Sequence, residues 1–287
     1  MKNTTLILAM LTAMAGVAFG QGTTDITISW EKNTLTIRSP RIPGERVDTN
    51  YLEAFCRKGG HDREWGQTVV PHTTKLVSAA PDQKSLELES RVVDKAPRSD
   101  GPVALTTQAR MKHEIRAVAD GVEFRLTITN LTDQALDIDW AQPCMRVDRF
   151  TGLNQNDYIR KCFIFTDKGL AMLDKLPRAE EARYRGGQVY VPKGIPPEDV
   201  NPRPISTVTP ANQLIGCISA DDKYLLAMAF EPGEELFQGV VVCVHNDFRI
   251  GGLAPKETKK IFGKVYFIEN DTEKLLKHYR ADFEPKK

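Results

Sequence analysis

Hydrophobic and polar residues alternate with period two through most of residues 111–143, MKHEIRAVADGVEFRLTITNLTDQALDIDWAQP. That period belongs to strands with one buried and one exposed face. Asp120-Gly121 reads as a two-residue hairpin turn, since both types tolerate positive φ. The turn predicts Ala119 opposite Val122, Ala117 opposite Phe124, Ile115 opposite Leu126 and His113 opposite Ile128, all on an apolar face. Lys112, Glu114, Arg116, Glu123, Arg125 and Thr127 take the other face. After a loop at 130–134, pairing Ile128 with Leu136 aligns Leu126 with Ile138 and Phe124 with Trp140, which predicts a third strand of the same sheet. This register sets Arg116 opposite Arg125, a costly pair unless Asp139 neutralises it. The polar face is then either a solvated, salt-bridged surface or a clamp for an acidic sugar.

Further alternating or β-branched runs occupy residues 25–38, 68–78, 85–93, 103–119, 161–166, 188–191, 213–219, 224–230, 237–245 and 258–267. Turn residues separate them, as at Lys32-Asn33, Asp221-Asp222 and Pro232-Gly233. The amphipathic helices that a parallel βαβ sheet needs between its strands are missing, so the pattern predicts an all-β antiparallel sandwich and argues against a doubly wound nucleotide fold. The paired glycines 59–60, 186–187 and 251–252 do not make a phosphate-binding fingerprint. Residues 191–210 hold six of the 17 prolines and predict a long extended loop, either a rim over a cleft or a strap along a sheet edge. One helix is expected at about 271–283, with Asp271 as its cap and Leu275, Leu276, Tyr279 and Phe283 as its apolar stripe.

The first twenty residues read as an export signal: Lys2, an apolar run from Leu6 to Val17, then Ala18-Phe19-Gly20 before the expected cleavage at Gln21. No cysteine follows that point directly, which argues against a lipid anchor, and no run is long enough to span a bilayer. The expectation is one β-sandwich domain over residues 21–287, secreted or periplasmic. The 39 basic and 38 acidic residues are interspersed, for a net charge of +1, so neither nucleic acid nor a membrane surface is an expected partner. The five cysteines, Cys56, Cys144, Cys162, Cys217 and Cys243, are odd in number and lack CxxC spacing, which leaves at least one unpaired within the chain. Cys217 and Cys243 sit in apolar strand patterns and read as core packing.

Ionisable groups are densest in residues 51–72, where Glu53, Arg57, His61, Asp62, Glu64, Trp65 and His72 surround a glycine-containing loop. A metal set of His61, Asp62 and Glu64 competes with a solvated charged loop, and the spacing is not a metal signature, so no metal or cofactor is assigned. A sugar site would use Trp65 as a platform beside carboxylate, guanidinium and imidazole groups. His113 shares its face with Ile115 and Ala117 and reads as a hydrogen-bonded core or rim histidine. His245 ends an apolar run and is expected to enter a loop, 245–249, where imidazole, carboxylate and guanidinium converge. His278 lies on the terminal helix, expected at the surface.

DGVEFRLTITNLTDQALDIDWAQP resembles the central strands of the galactose mutarotase-like family, the aldose 1-epimerases and their relatives, where a strand ending in "vtN" precedes one closing in His-Pro. HNDFRIGGLAPKETKKIFGKVYF is similar to that family's closing strands, with a Pro-x-Glu-Thr turn at residues 255–258. The resemblance covers about half of the exported chain and implies a β-supersandwich that binds carbohydrate. Two departures qualify the implied activity. Gln142-Pro143 stands where the catalytic His-Pro would fall, and Gln cannot donate a proton to a ring oxygen. Ser39-Pro40-Arg41-Ile42-Pro43 replaces the family's Gly-Arg-x-x-Asn-Arg pattern, so no second histidine or late glutamate is carried over.

The expected function is therefore an exported carbohydrate-binding or carbohydrate-active protein. Candidate catalytic residues are His72, His245 and Glu53, and candidate substrate-binding residues are Arg57, Arg146 and Trp65. The alternatives are a uronate-type lyase or sugar epimerase with a histidine base and an arginine clamp, or a non-catalytic structural or interaction domain. The sugar, the reaction and the oligomeric state are not written in the sequence.

Overall fold

The computed structural model describes residues 24–60, 63–94, 105–185 and 187–284. The expected export signal and the candidate ligands His61 and Asp62 lie outside the described residues. Among the described residues, seventeen strands form two antiparallel sheets. They are β1 (Thr27–Glu31), β2 (Thr34–Arg38), β3 (Arg46–Cys56), β4 (Val69–Val70), β5 (His72–Ala79), β6 (Ser85–Val93), β7 (Thr107–Val118), β8 (Gly121–Asn130) and β9 (Trp140–Arg146) in the first half. The second half adds β10 (Cys162–Thr166), β11 (Gly169–Met172), β12 (Gln188–Tyr190), β13 (Ile215–Ile218), β14 (Tyr224–Glu231), β15 (Gly233–Gln238), β16 (Cys243–Arg249) and β17 (Thr258–Glu269). The first sheet runs β1-β2-β3-β9-β16-β15-β12, with β4 beside β3; the second runs β11-β10-β13-β14-β17-β8-β7-β6-β5. One core lies between them, built from residues of both sheets such as Leu35, Phe55, Met145, Phe248, Phe124, Ile164 and Phe230. The expected all-β antiparallel sandwich is the observed architecture. Among the described residues no helix is long and apolar enough to cross a membrane.

The β7–β8 hairpin keeps the expected faces but shifts its register by two residues. Ala117 pairs with Val122, Ile115 with Phe124, His113 with Leu126 and Met111 with Ile128, while residues 119–120 form the turn. Gly121 is needed for another reason: a Cβ there would collide with the Val265 carbonyl on β17, which pairs with β8 on its other side. A two-residue shift leaves every side chain on its own face but changes every partner. Arg116 therefore lies opposite Glu123 and Glu114 opposite Arg125, so the expected like-charge pair does not form.

Residues 136–140 do not extend this sheet. After Asn130 the chain crosses to the first sheet, where β9 lies between β3 and β16. Ile138 is still buried in the main core, but Trp140 packs with Ala54 and Cys56 on the opposite face of the first sheet. Asp139 faces Arg249 at 3.6 Å rather than the hairpin arginines.

The apolar run 237–245 is not one strand either. It folds back at residues 239–242, so that β15 and β16 pair with Phe237 opposite His245. His245 consequently stands inside β16 and not at the entrance of a loop. The proline-rich segment performs both expected roles. Ser206 N donates to Val189 O at 2.7 Å and Val189 N to Pro204 O at 3.0 Å, a strap along edge strand β12, while Asn201 and Arg203 reach the rim of a cavity. The C-terminal helix spans Thr272–Phe283, and the Asp271 carboxylate accepts from Lys274 N at 2.9 Å. Its Leu275 and Tyr279 dock on Phe163, Leu225, Ala227 and Ile268, the outer face of the second sheet. His278 is less exposed than expected, because Nδ1 lies 2.6 Å from Asp120 Oδ2.

Candidate functional site

Strand parity divides the first sheet. Ala141, Met145, Val244, Phe248 and Leu236 point into the core. The alternating positions Gln142 and Cys144 on β9, Cys243 and His245 on β16, and Phe237 on β15 face the other way and line a cavity of about 230 Å³. The β9–β16 register, continuous on either side of this point, sets Cys144 opposite His245 and Gln142 opposite Asp247. Glu53 and Ala54 extend the lining from β3. Trp65, Val240 and Val241 form an apolar lip; they are 42%, 38% and 41% exposed although large and hydrophobic. Trp65 is held by its ring contact with Trp140, 6.3 Å between centroids, and Trp140 is pinned in turn by its indole N–H to Asp199 O at 3.0 Å.

A row of buried polar groups runs inward from this cavity. His245 Nε2 meets Cys243 Sγ at 3.1 Å, and its Nδ1 faces Asp247 Oδ1 at 3.7 Å. Asp247 lies opposite Glu235, whose Oε1 accepts from Asn201 N at 3.1 Å. Neither Asp247 oxygen, nor Glu235 Oε2, nor His245 Nδ1 has a hydrogen-bond partner. Burial raises the pKa of both carboxyls, and the Asp247 charge raises that of Glu235 further. For His245, burial disfavours the cation, but the Cys144 sulfur and the Asp247 carboxylate outweigh it and hold the pKa up to about 10. The Cys144 thiol is pushed up by the adjacent Cys243 sulfur and by burial. Farther along the same face, Arg249 Nη1 donates to both Glu234 oxygens at 2.7 Å, with Asp139 and Asp199 within 3.6 Å.

Of the residues expected from the sequence, the cavity brings together Glu53, Trp65 and His245. The other three are not among its lining residues. His72 starts β5 in the second sheet, stacks edge-on against Phe55 and points its ring nitrogens at Leu52 O and Val70 O. Arg57 donates to Val69 O at 3.1 Å, tying its own loop together. Arg146 lies at the end of β9, opposite Cys243. Cys217 and Cys243 are both buried as expected, but Cys243 also lines the cavity, because the turn at 239–242 reverses the strand before it. His113 is the buried, bonded histidine anticipated, with Tyr51 Oη at 2.9 Å and Ser90 Oγ at 2.8 Å. Asp247 is the carboxylate expected beside His245, 3.7 Å from its ring, and Gln142 was singled out by the resemblance, but Cys144, Asn201, Arg203 and Glu235 were missed as site residues. The one available signal was the alternation Gln142, Cys144 against Cys243, His245, Asp247 on strands that pair only in three dimensions.

No family model matches the chain, and no curated protein does. Among solved structures, the chain is similar to the Slr1438 protein of Synechocystis sp. PCC 6803, at 10% identity over 90% of this chain and 100% of that one, TM-score 0.43. It is similar to a galactose mutarotase-like protein of Lactobacillus casei, at 8% identity over 85% and 100%, TM-score 0.42. A third similar structure is galactose 1-epimerase of Lactobacillus acidophilus, at 10% identity over 87% and 99%, TM-score 0.40.

Proposed function

We propose that this chain is an exported protein whose cavity on the first sheet binds carbohydrate, one sugar ring at a time. The observation that carries the reading is the lining itself. An exposed indole stands at the lip, and hydroxyl-bonding groups of three kinds, the Glu53 carboxylate, the Gln142 and Asn201 amides and the Arg203 guanidinium, line the same space. Asn201 Oδ1 is buried without a partner, an acceptor whose desolvation a ligand hydroxyl would offset. The volume is below the usual range of about 300–1,000 Å³ for drug-sized ligands, which favours a single ring. Gln142, at the position where the sequence resemblance expects a catalytic histidine, lines the cavity, so recognition is better supported there than epimerase chemistry. The arginine at the rim makes uronates part of the ligand class to be screened.

The test is a glycan array on the protein from Gln21 onward, including neutral and uronic sugars, followed by calorimetry on each hit. Trp65→Ala and Glu53→Gln should each weaken a hit at least tenfold. An array without hits, or equal affinity in Trp65→Ala, overturns the reading.

A further inference from the structure

We propose that Cys144, Cys243 and His245 form a site for a thiophilic cation of the zinc class, with the fourth coordination position open to the cavity. Their ligand atoms, two Sγ and one imidazole nitrogen, lie within 4.8 Å of one another, with Cys243 Sγ and His245 Nε2 at 3.1 Å. A tetrahedral zinc with Zn–S of about 2.3 Å and Zn–N of about 2.0 Å needs its ligand atoms about 3.5–3.8 Å apart, so small side-chain adjustments suffice. Two sulfurs and an imidazole select zinc or a similarly soft ion over magnesium or calcium.

Three independent features point the same way. The register places Cys144 across from His245 and Cys243 two residues earlier on the same face, so three strand positions converge without any loop. Gly239 keeps the space beside them open, since a Cβ there would collide with Cys243 Sγ and approach His245 Nε2 to 3.1 Å. Behind the histidine, Asp247 is fully buried with neither oxygen hydrogen-bonded, 3.7 Å from the ring nitrogen that faces away from the sulfur. A carboxylate in that place is the partner that orients a metal-bound imidazole.

Binding exchanges protons for metal: each thiol forms a sulfur–metal bond and releases its proton to solvent, and the imidazole gives up its Nε2 proton as well, so that it coordinates in its neutral form. Three protein ligands with an open position are the arrangement of reactive rather than purely structural zinc. A Cys144–Cys243 disulfide is the competing fate. The two are diagonal neighbours across β9 and β16, where Cβ atoms stand farther apart than the roughly 3.5–4.5 Å that a disulfide needs. The inference requires no sugar, and it stands or falls separately from the carbohydrate reading.

The experiment titrates chelator-stripped, reduced protein with Co²⁺ and then with Zn²⁺. The expected result is saturation at about one equivalent, with a near-ultraviolet thiolate-to-cobalt band that Zn²⁺ abolishes. Cys144→Ser, Cys243→Ser and His245→Gln should each weaken Co²⁺ binding at least 100-fold, and Asp247→Asn about 10- to 100-fold. Trp65→Ala should bind Co²⁺ as the parent does, whatever it does to sugars. Absence of the thiolate band in the parent protein, unchanged binding in the double serine variant, or a Cys144–Cys243 disulfide in the unreduced protein would each overturn the proposal. Should a serine variant fail to fold by circular dichroism, the parent titration and His245→Gln decide.

Discussion

Gly239 is small because Cys243 is close: the turn that reverses β15 into β16 brings the Cys243 sulfur into the volume that a Cβ on Gly239 would occupy. Gly239 does not adopt a positive φ, so its constraint is space and not backbone conformation. Gly239→Ala should therefore overpack the turn, displace Cys243 and destabilise the fold by about 1–3 kcal/mol. Urea denaturation measures the loss, and thiol labelling of the folded protein should show Cys243 reacting faster. A variant with parental stability and labelling would show that the turn relaxes freely.

Phe124 lies at the centre of the sandwich, 2% exposed, with Tyr51 and Phe230 rings at 5.5 and 5.4 Å. Phe124→Ala should cost about 3–5 kcal/mol by denaturant unfolding, because neighbours in both sheets would line the resulting void. A loss below about 1 kcal/mol would contradict this packing.

How far the sequence reached can be seen from these same residues. Alternation put Phe124 on the core face correctly, since face depends only on parity. Its partner was misassigned, because a two-residue slip preserves parity and the glycine that set the turn expectation serves a close approach to Val265 instead. The terminal helix was fully legible, its cap and stripe being local. The site was legible only in part: Glu53, Trp65, His245 and the neighbouring Asp247 stood out by chemistry, but Cys144 acquires meaning from a β9–β16 pairing about a hundred residues apart in sequence. The Trp140 placement failed for the same reason. A continuous apolar pattern carries no mark of where the chain changes sheets.

His113 gives a pH test. Complete burial lowers its pKa from 6.5 to about 3, with His72 adding a small push in the same direction. Between those values the unfolded chain binds a proton that the folded chain does not, so stability is lost as pH falls from about 6.5 towards 3. His113→Gln lacks this proton. The stability gap between parent and variant, measured by urea denaturation, should shift against the parent by about 2 kcal/mol from pH 7 to pH 5. A constant gap would mean that the imidazole is protonated in the fold.

Trp140 anchors the strap that carries Asn201 and Arg203 to the cavity, through its indole N–H to Asp199 O at 3.0 Å. Trp140→Phe keeps an aromatic ring against Trp65 but removes that donor, leaving the Asp199 carbonyl to find another. The expected stability loss is about 1–3 kcal/mol, from the smaller ring and the lost bond. Amide exchange should speed up selectively at Ser206 and Val189, whose N–H groups tie the strap to β12. If exchange there is unchanged while stability falls, the strap is held by its edge pairing and the indole serves only as packing.

Export is the last expectation to be tested. Lys2, the apolar run from Leu6 to Val17 and the small residues Ala18 and Gly20 around Phe19 carry the expectation of a cleavable leader, with an apolar run too short to span a bilayer. Expressed in a Gram-negative host, the full chain should appear in the periplasm with Gln21 at its N-terminus. Intact-mass analysis distinguishes this product from the uncleaved precursor. Replacing Ala18 and Gly20 with large residues should block processing and leave the precursor membrane-associated, since the leader would remain uncleaved. Cytoplasmic protein with Met1 retained, from the unaltered sequence, would remove export from the proposed function while leaving the cavity and its chemistry as they are.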